Sequence, residues 1–235
     1  MVLDFGFMKS SFFLALRGIP VTLFITVMTL LISIPIAFAI AVARAGKKRK
    51  TLNLLFSVYV SAVRGTPVIV QILIIYTMLP DLLKFIIEKL ALPFNVYAIN
   101  NIFYAILIFS FSMIAFLSEV FRAGLRAVGR GQYEAALAAG LSGFRAYTRI
   151  IAPQAFSAVL PVLCTSVNNL IKTSSLCFAI AVNEITGIIR VAASRNLHFV
   201  EGFLVIAAIY VIICMAVELC FKILENKAKV HRVSA

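Results

Sequence analysis

Residues 131–142 read GQYEAALAAGLS and form a short polar loop between two long apolar runs. Gly131 occupies the position of a helix N-cap, and Glu134 follows in the first turn, where a carboxylate meets the positive end of the helix dipole. Residues 135–139 are good helix formers, and Gly140 is placed to end the helix in the left-handed conformation. The loop predicts a compact helix outside a bilayer, which serves either as an interfacial connector or as a docking site whose small alanines admit a partner closely.

Composition places most of the remaining chain in a membrane. The 235 residues are 63% hydrophobic and have a mean hydropathy of +1.06. A membrane-spanning helix needs roughly 20 apolar residues. Runs of that kind occur at 18–43, 54–80, 99–118, 150–180 and 202–221. The sequence therefore predicts an all-α polytopic membrane protein with five transmembrane helices, and residues 1–235 form a single transmembrane domain.

The net charge of +13 indicates membrane topology. In a soluble protein this charge would suggest nucleic-acid binding, but here the basic residues concentrate in 44–50, in 122–149 and in the C-terminal tail. The segments 81–98 and 184–201 are balanced in charge. Because positively charged loops stay in the cytoplasm, we expect an external N-terminus, an internal C-terminus, and a cytoplasmic loop at 122–152 that carries the short helix. No nucleic-acid partner is expected.

One ionisable pair lies at the end of the third apolar run. Glu119 follows a long uncharged stretch, and Arg122 lies three residues further on, on the same helical face. Ionisable groups at membrane depth usually face an interior or a water-filled path. The two residues therefore form either an internal ion pair or part of a substrate path.

Polar residues in the other apolar runs are likewise either structural or part of a substrate path. Thr165, Asn168, Lys172 and Ser175 have spacings that place them on one helical face, where they either join helices or line a path. The Arg64-Gly65-Thr66-Pro67 stretch, followed by Gln71, either only kinks its span or breaks it at a transport site.

The sequence lacks the motifs of several enzyme and nucleotide-binding classes. It contains no G-x-x-x-x-G-K-[ST] phosphate loop, no H-E-x-x-H and no G-x-S-x-G motif. Its four cysteines show no C-x-x-C spacing and are expected to act as packing residues. We therefore predict no catalytic residue, no metal site and no cofactor in this chain.

Four motifs resemble those of a known family and occur along the chain in the same order as in that family. Residues 134–136 (EAA), with Gly140 and the IIAP of 150–153, resemble the EAA loop of ATP-binding-cassette (ABC) importer permeases. Residues 115–124 (AFLSEVFRAG) are similar to that family's A-Y-x-A-E-x-x-R-x-G run. The R-G-T-P stretch with Gln71 is similar to R-G-T-P-x-x-x-Q, and residues 170–176 (LIKTSSL) resemble L-x-K-x-[ST]-S-L. These elements are typical of the polar amino acid subfamily, and the resemblance covers roughly residues 15–222.

The resemblance implies an architecture and partners. It implies a type I ABC importer permease in the bacterial cytoplasmic membrane, paired with an identical or homologous permease. A cytoplasmic ATPase dimer would bind ATP and Mg, and an extracytoplasmic binding protein would deliver the substrate. The substrate would be a polar or sulfur-containing amino acid, with cystine, arginine, histidine and glutamine as candidates. The alternatives are a channel or secondary carrier independent of an ATPase, and a membrane-embedded enzyme, which the missing catalytic set disfavours.

The resemblance also implies roles for particular residues. In that family the EAA loop forms a coupling helix that inserts into a cleft of the ATPase. We expect coupling from Glu134, Ala135, Ala136 and Gly140, and a substrate path lined by Glu119, Arg122, Asn168, Lys172, Ser175, Thr66 and Gln71.

Overall fold

The computed structural model describes residues 3–45, 50–90, 93 and 95–233. Every regular element in this part of the chain is helical, which confirms the predicted fold class. Short 3-10 turns occupy Leu16–Gly18, Val96–Ala98 and Ser175–Ile180, and a π-helical segment occupies Tyr147–Ile151. The α-helices are α1 (Phe5–Ala15), α2 (Ile19–Ala45), α3 (Lys50–Gly65), α4 (Val68–Lys89), α5 (Asn101–Ala127), α6 (Arg130–Ala138), α7 (Gly143–Ala146), α8 (Ala152–Ser174), α9 (Ile185–Asn196) and α10 (Phe199–Val233).

Within the described residues, five helical stretches are long and apolar enough to cross a membrane, as predicted. They are Phe5–Arg44, Val68–Lys89, Asn101–Ala127, Gly143–Ile180 and Phe199–Lys227. The first begins well before residue 18, because the turn Leu16–Gly18 joins α1 directly to α2 without a loop. Asp4 starts this stretch as an N-cap, since its side chain accepts a hydrogen bond from the Phe7 backbone N–H at 2.9 Å.

The predicted second span, 54–80, is wrong at both ends. The helix breaks after Gly65, and α4 starts at Val68 with Pro67 as its N-cap, so that the apolar span is Val68–Lys89. Pro80 lies inside α4, and the helix continues through much of the predicted loop 81–98. Membrane helices tolerate an internal proline because neighbouring groups satisfy the freed carbonyl.

The predicted loop 184–201 is also largely helical. It contains α9, whose N-cap is Glu184, and the first residues of α10. Hydropathy failed to detect α9 because this helix is short and carries Arg190 and Arg195.

The chain divides into two compact units. Unit 1 comprises Met1–Leu31, Gly65–Ser112 and Asn169–Cys214, and unit 2 comprises Ile32–Arg64, Met113–Asn168 and Met215–Ala235. The interior of unit 1 contains the fully buried Ile72, Phe109 and Ile185. In unit 2, the buried Val60, Val63 and Ala115 form one cluster.

A polar cluster in unit 1 holds the start of the chain against α10. The Asp4 backbone N–H donates to Glu201 Oε1 at 3.3 Å, and the two ring nitrogens of His198 each lie 3.7 Å from one of these carboxylates. The Phe7 ring packs on the His198 ring with a centroid distance of 4.7 Å. This cluster fixes α1, a segment whose packing the sequence did not predict.

Candidate functional site

Helix α6 begins two residues earlier than predicted. Its N-cap is Gly129, in an extended conformation with φ −58° and ψ 142°, and Gly131 lies within the first turn. Glu134 consequently lies beyond the first turn, away from the positive end of the helix dipole, and the prediction that it meets that end is wrong. Both glycines are able to cap a helix, and the local sequence does not distinguish them.

The C-terminus of α6 is closed as expected, with Gly140 in the left-handed conformation at φ +82°. The Leu141 N–H donates to the Ala136 carbonyl at 3.1 Å, and the Gly140 N–H donates to the Leu137 carbonyl at 2.9 Å. These two hydrogen bonds form a Schellman motif. The motif gives the short helix a fixed end and turns the chain into α7.

The four predicted coupling residues differ in solvent exposure. Glu134, Ala135 and Gly140 are exposed, whereas Ala136 is buried and anchors the helix. Helix α6 packs against α7 and the π-helical segment. The outward face of α6 therefore combines exposed small residues with the exposed side chains of Tyr133 and Leu137 on a supported helix.

An exposed aromatic residue lies next to α6 and was not among the predicted site residues. Phe144 on α7 is 78% exposed, an unusual state for a phenylalanine in a polar loop. Exposed arginines lie in or next to α6 and α7 in the chain, at positions 126, 130, 145 and 149. Large aromatic side chains often carry the binding energy at protein interfaces, and a phenylalanine within a basic polar loop is the signal that could have identified Phe144.

Glu119 is held by two arginines. Its Oε1 lies 2.5 Å from Arg44 Nη1 and 3.5 Å from Arg122 Nη1. The assignment of Arg44 to a positive loop is wrong, because this residue lies within α2 and its side chain is only 5% exposed. Three other members of that predicted loop, Lys47, Lys48 and Arg49, lie outside the described residues.

Unit 2 contains an open cavity of about 380 Å³ beside this ion pair. Glu119 lines it together with Arg64, whose guanidinium carbon lies 5.8 Å from the centroid of the Phe116 ring. The remaining wall is apolar and made of small or branched residues, namely Val120, Ala123, Gly124, Ala127, Ala158, Val159 and Val162. The cavity therefore offers one cation and one anion in an apolar setting.

Thr66 and Gln71 come together at the break between α3 and α4. The Gln71 amide donates from Nε2 to the Thr66 carbonyl at 2.8 Å, and its Oε1 accepts a hydrogen bond from the Ser112 hydroxyl on α5. The Gln71 side chain is buried. Its amide thus satisfies a backbone carbonyl freed by the break and joins α4 to α5.

The polar residues of α8 have different surroundings. Asn168 is buried in unit 2 and donates from Nδ2 to Glu218 Oε1 at 3.0 Å. Lys172 belongs to unit 1, is exposed, and forms no ion pair or hydrogen bond with the described part of the chain. Ser175 is half-buried and begins the 3-10 turn that follows α8.

Glu184 is a buried carboxylate, although its place in a charge-balanced segment predicted only a loop charge. It is fully buried in unit 1 and accepts hydrogen bonds from the backbone N–H groups of Thr186 (2.9 Å) and Gly187 (2.8 Å) and from the Tyr210 hydroxyl (2.8 Å). Burial raises the pKa of Glu184 above its usual range, and the three hydrogen bonds oppose that rise. The side chain caps α9 and ties it to α10.

Comparison with known proteins decides the family. The family model described as "Binding-protein-dependent transport system inner membrane component" matches residues 33–230. The chain belongs to this family. The resemblance drawn from the four motifs is thereby confirmed, and the chain is the permease component of a transport system rather than a membrane-embedded enzyme.

Several relatives of this permease have names that describe a transport role. It is 34% identical to the probable amino-acid permease protein YxeN of Bacillus subtilis, over 88% of each chain. It is also 34% identical to the L-cystine transport system permease protein TcyB of the same organism, over 89% of this chain and 84% of that one. A crystal structure of an amino acid ABC transporter with histidines is 26% identical, with a TM-score of 0.80 over 97% of this chain and 100% of that one. This likeness confirms the predicted permease architecture.

Proposed function

We propose that this chain is the membrane-spanning permease subunit of an ATP-driven, binding-protein-dependent importer of an amino acid. The observation that carries the proposal is α6, a short supported helix with a fixed C-terminal cap and an exposed outer face. Relatives named for amino acid and L-cystine transport support the substrate class. Polar or sulfur-containing amino acids, cystine among them, are the proposed cargo.

The proposed partner of α6 is a cytoplasmic ATPase dimer, which would bind ATP and Mg itself. Glu134, Ala135 and Gly140 would contact the ATPase, and Ala136 would seat the helix on its support. Phe144 adds a large apolar side chain to this surface. The surrounding arginines suit an acidic rim on the partner, because opposite charges steer association.

The proposed substrate path uses two sets of residues, one in each unit. In unit 1 it includes Lys172, Ser175 and the break at Thr66, with Gln71 supporting the break. In unit 2 it includes the open cavity, the Glu119–Arg122 pair at its edge, and Asn168. An amino acid carries both an ammonium and a carboxylate. Arg64 offers the cavity a cation for the carboxylate, and Glu119, which is already paired with Arg44 and Arg122, lies at the cavity wall.

The remaining partners follow from the size of the chain. Five helices are too few to enclose a path alone, so we propose a second permease, identical or homologous. An extracytoplasmic binding protein would deliver the substrate. The basic residues of the α6 region support a cytoplasmic location for this loop, and with it an external N-terminus and an internal C-terminus in the bacterial cytoplasmic membrane.

The proposed mechanism needs no chemistry within the permease. Closure of the ATPase dimer would draw the two copies of α6 together. The helices would then rock as rigid elements and change the path from inward-open to outward-open, so that the binding protein can release its amino acid into the path. A channel or ion-driven carrier would leave the capped surface of α6 without a role.

Energy dependence of uptake tests this function. Cells that produce the assembly are given radiolabelled L-arginine, L-histidine, L-glutamine and L-cystine in turn. We expect uptake of at least one of them to stop when ATP is depleted and to persist when a protonophore collapses the ion gradients. Uptake that follows the ion gradients and ignores ATP would overturn the proposal in favour of a carrier.

Lys172→Ala tests the substrate path. Lys172 is exposed and unpaired among the described residues, so its loss leaves no buried group without a partner. We expect uptake of the transported amino acid to fall by about tenfold, the equivalent of one charge-assisted contact, at unchanged amounts of assembled permease. The matched control is Lys84→Ala, whose side chain is 52% exposed on α4. Normal uptake by Lys172→Ala would remove this residue from the path.

A further inference from the structure

Arg44 joins three helices of unit 2 through one buried side chain. Its Nη1 lies 2.5 Å from Glu119 Oε1 on α5, and its Nη2 donates to the Ser57 hydroxyl on α3 at 3.1 Å. The Ser57 hydroxyl donates in turn to the Asn53 carbonyl of its own helix at 2.8 Å. Arg44 itself belongs to α2. One guanidinium therefore fixes α2 and α3 against α5.

The Arg44–Glu119 contact has the properties of a permanent structural pair. The Arg44 side chain is only 5% exposed, and removing a buried charge from its partner is costly. The guanidinium presents several donors in a rigid plane, which suits two simultaneous acceptors on different helices. Arg122 supplies Glu119 with a second positive charge from within α5, at 3.5 Å. Glu119 is thus held on both sides, although its side chain remains 27% exposed.

The clamped helix is the one that leads into α6. Helix α5 ends at Ala127, and α6 starts at Arg130, so only two residues connect them. A displacement of α6 must pass into α5 through this short connection. The Arg44–Glu119 contact lies on α5 two turns before that end.

We propose that Arg44 is a positioning residue that links the motion of α6 to α2 and α3 through Glu119. The inference rests on the proposed function, because it assumes that an ATPase displaces α6. Glu119 then serves the path mainly by holding helices together, and Arg44 and Glu119 act as one unit. Loss of either residue should uncouple ATP hydrolysis from transport without preventing assembly.

The test uses the purified assembly with its co-purified ATPase and binding protein in proteoliposomes, and the amino acid that the wild-type assembly transports. Arg44→Gln, Glu119→Gln and the double variant are compared by amino acid transported per ATP hydrolysed. We expect this ratio to fall by about tenfold in each single variant and by no more in the double variant, since residues in one contact are non-additive. Arg195→Gln, at an exposed position on α9 outside the proposed coupling surface and path, is the control and should keep the wild-type ratio.

Three outcomes would overturn the inference. In the first, the losses in the two single variants multiply in the double variant. In the second, Glu119→Gln alone changes the KM for the amino acid. In the third, transport and ATP hydrolysis fall in the same proportion, so that their ratio is unchanged. If Arg44→Gln fails to assemble, Arg44→Lys keeps the charge and loses the two-acceptor geometry, and it should reduce the ratio by about threefold. Absence of ATP-dependent transport in the wild-type assembly would instead contradict the proposed function itself.

Discussion

Gly140→Val is expected to abolish uptake while the permease remains in the membrane. Gly140 has φ +82°, which a β-branched residue adopts only with strain. A Cβ at this position would meet nothing within 4 Å, so crowding is not the cause. The strain, about 1–2 kcal/mol, opens the Schellman motif and disturbs the end of α6. Because coupling depends on that surface, uptake of the transported amino acid should fall by more than about tenfold.

Gly131→Ala is the control for this prediction. Gly131 also lies in α6, is exposed, and has no atom within 4 Å of an added Cβ, but its φ is not in the left-handed region. Alanine favours helix over glycine by up to about 1 kcal/mol, so this variant should transport normally. Equal uptake by Gly140→Val and Gly131→Ala would show that the C-terminal cap of α6 has no part in transport.

Gly18→Ala is expected to destabilise the protein strongly, because Gly18 packs directly against backbone atoms of unit 1. An added Cβ at Gly18 would lie 2.5 Å from the Ile185 backbone nitrogen and 2.7 Å from the Glu184 carbonyl carbon. Backbone atoms cannot rotate away as a flexible side chain can, so the corner that holds Glu184 must shift. We expect a cost of about 3 kcal/mol, seen as a fall of roughly 6–12 °C in apparent Tm in detergent.

Gly65→Ala separates this steric effect from the general effect of replacing a glycine. Gly65 ends α3, and a Cβ there would meet nothing within 4 Å. The apparent Tm of the Gly65→Ala variant should stay within about 2 °C of the wild-type value. A Tm for Gly18→Ala that matches the Gly65→Ala value would mean that the close approach of Gly18 to Ile185 is absent in the protein.

The sequence was sufficient for features that depend on local chemistry. Hydropathy predicts the five spans because a bilayer demands long apolar helices, and Gly140 predicts the left-handed cap because other residues rarely adopt that conformation. Local chemistry also has limits. It could not choose between Gly129 and Gly131 as the N-cap of α6, and it ended a span at Pro80 although α4 passes through that residue.

Features that depend on contacts between distant residues were not accessible from one sequence. The requirement that Glu119 have a cationic partner was evident, and Arg122 is the partner that helical spacing suggests. The closer partner, Arg44, is 75 residues away, and its place at the end of an apolar run made it look like a topology signal. Glu184 was missed for the same reason, because its burial depends on Gly18 and Tyr210.

Co-purification of an ATPase from mild detergent tests the central claim most directly. The tagged permease is isolated from membranes of its native host, with Gly140→Val isolated in parallel. We predict that a protein with a G-x-x-x-x-G-K-[ST] phosphate loop accompanies the wild-type permease and is lost or reduced with Gly140→Val. Wild-type permease that comes through several mild detergents without any such ATPase would contradict the account, and α6 would then be a simple connector between two spans.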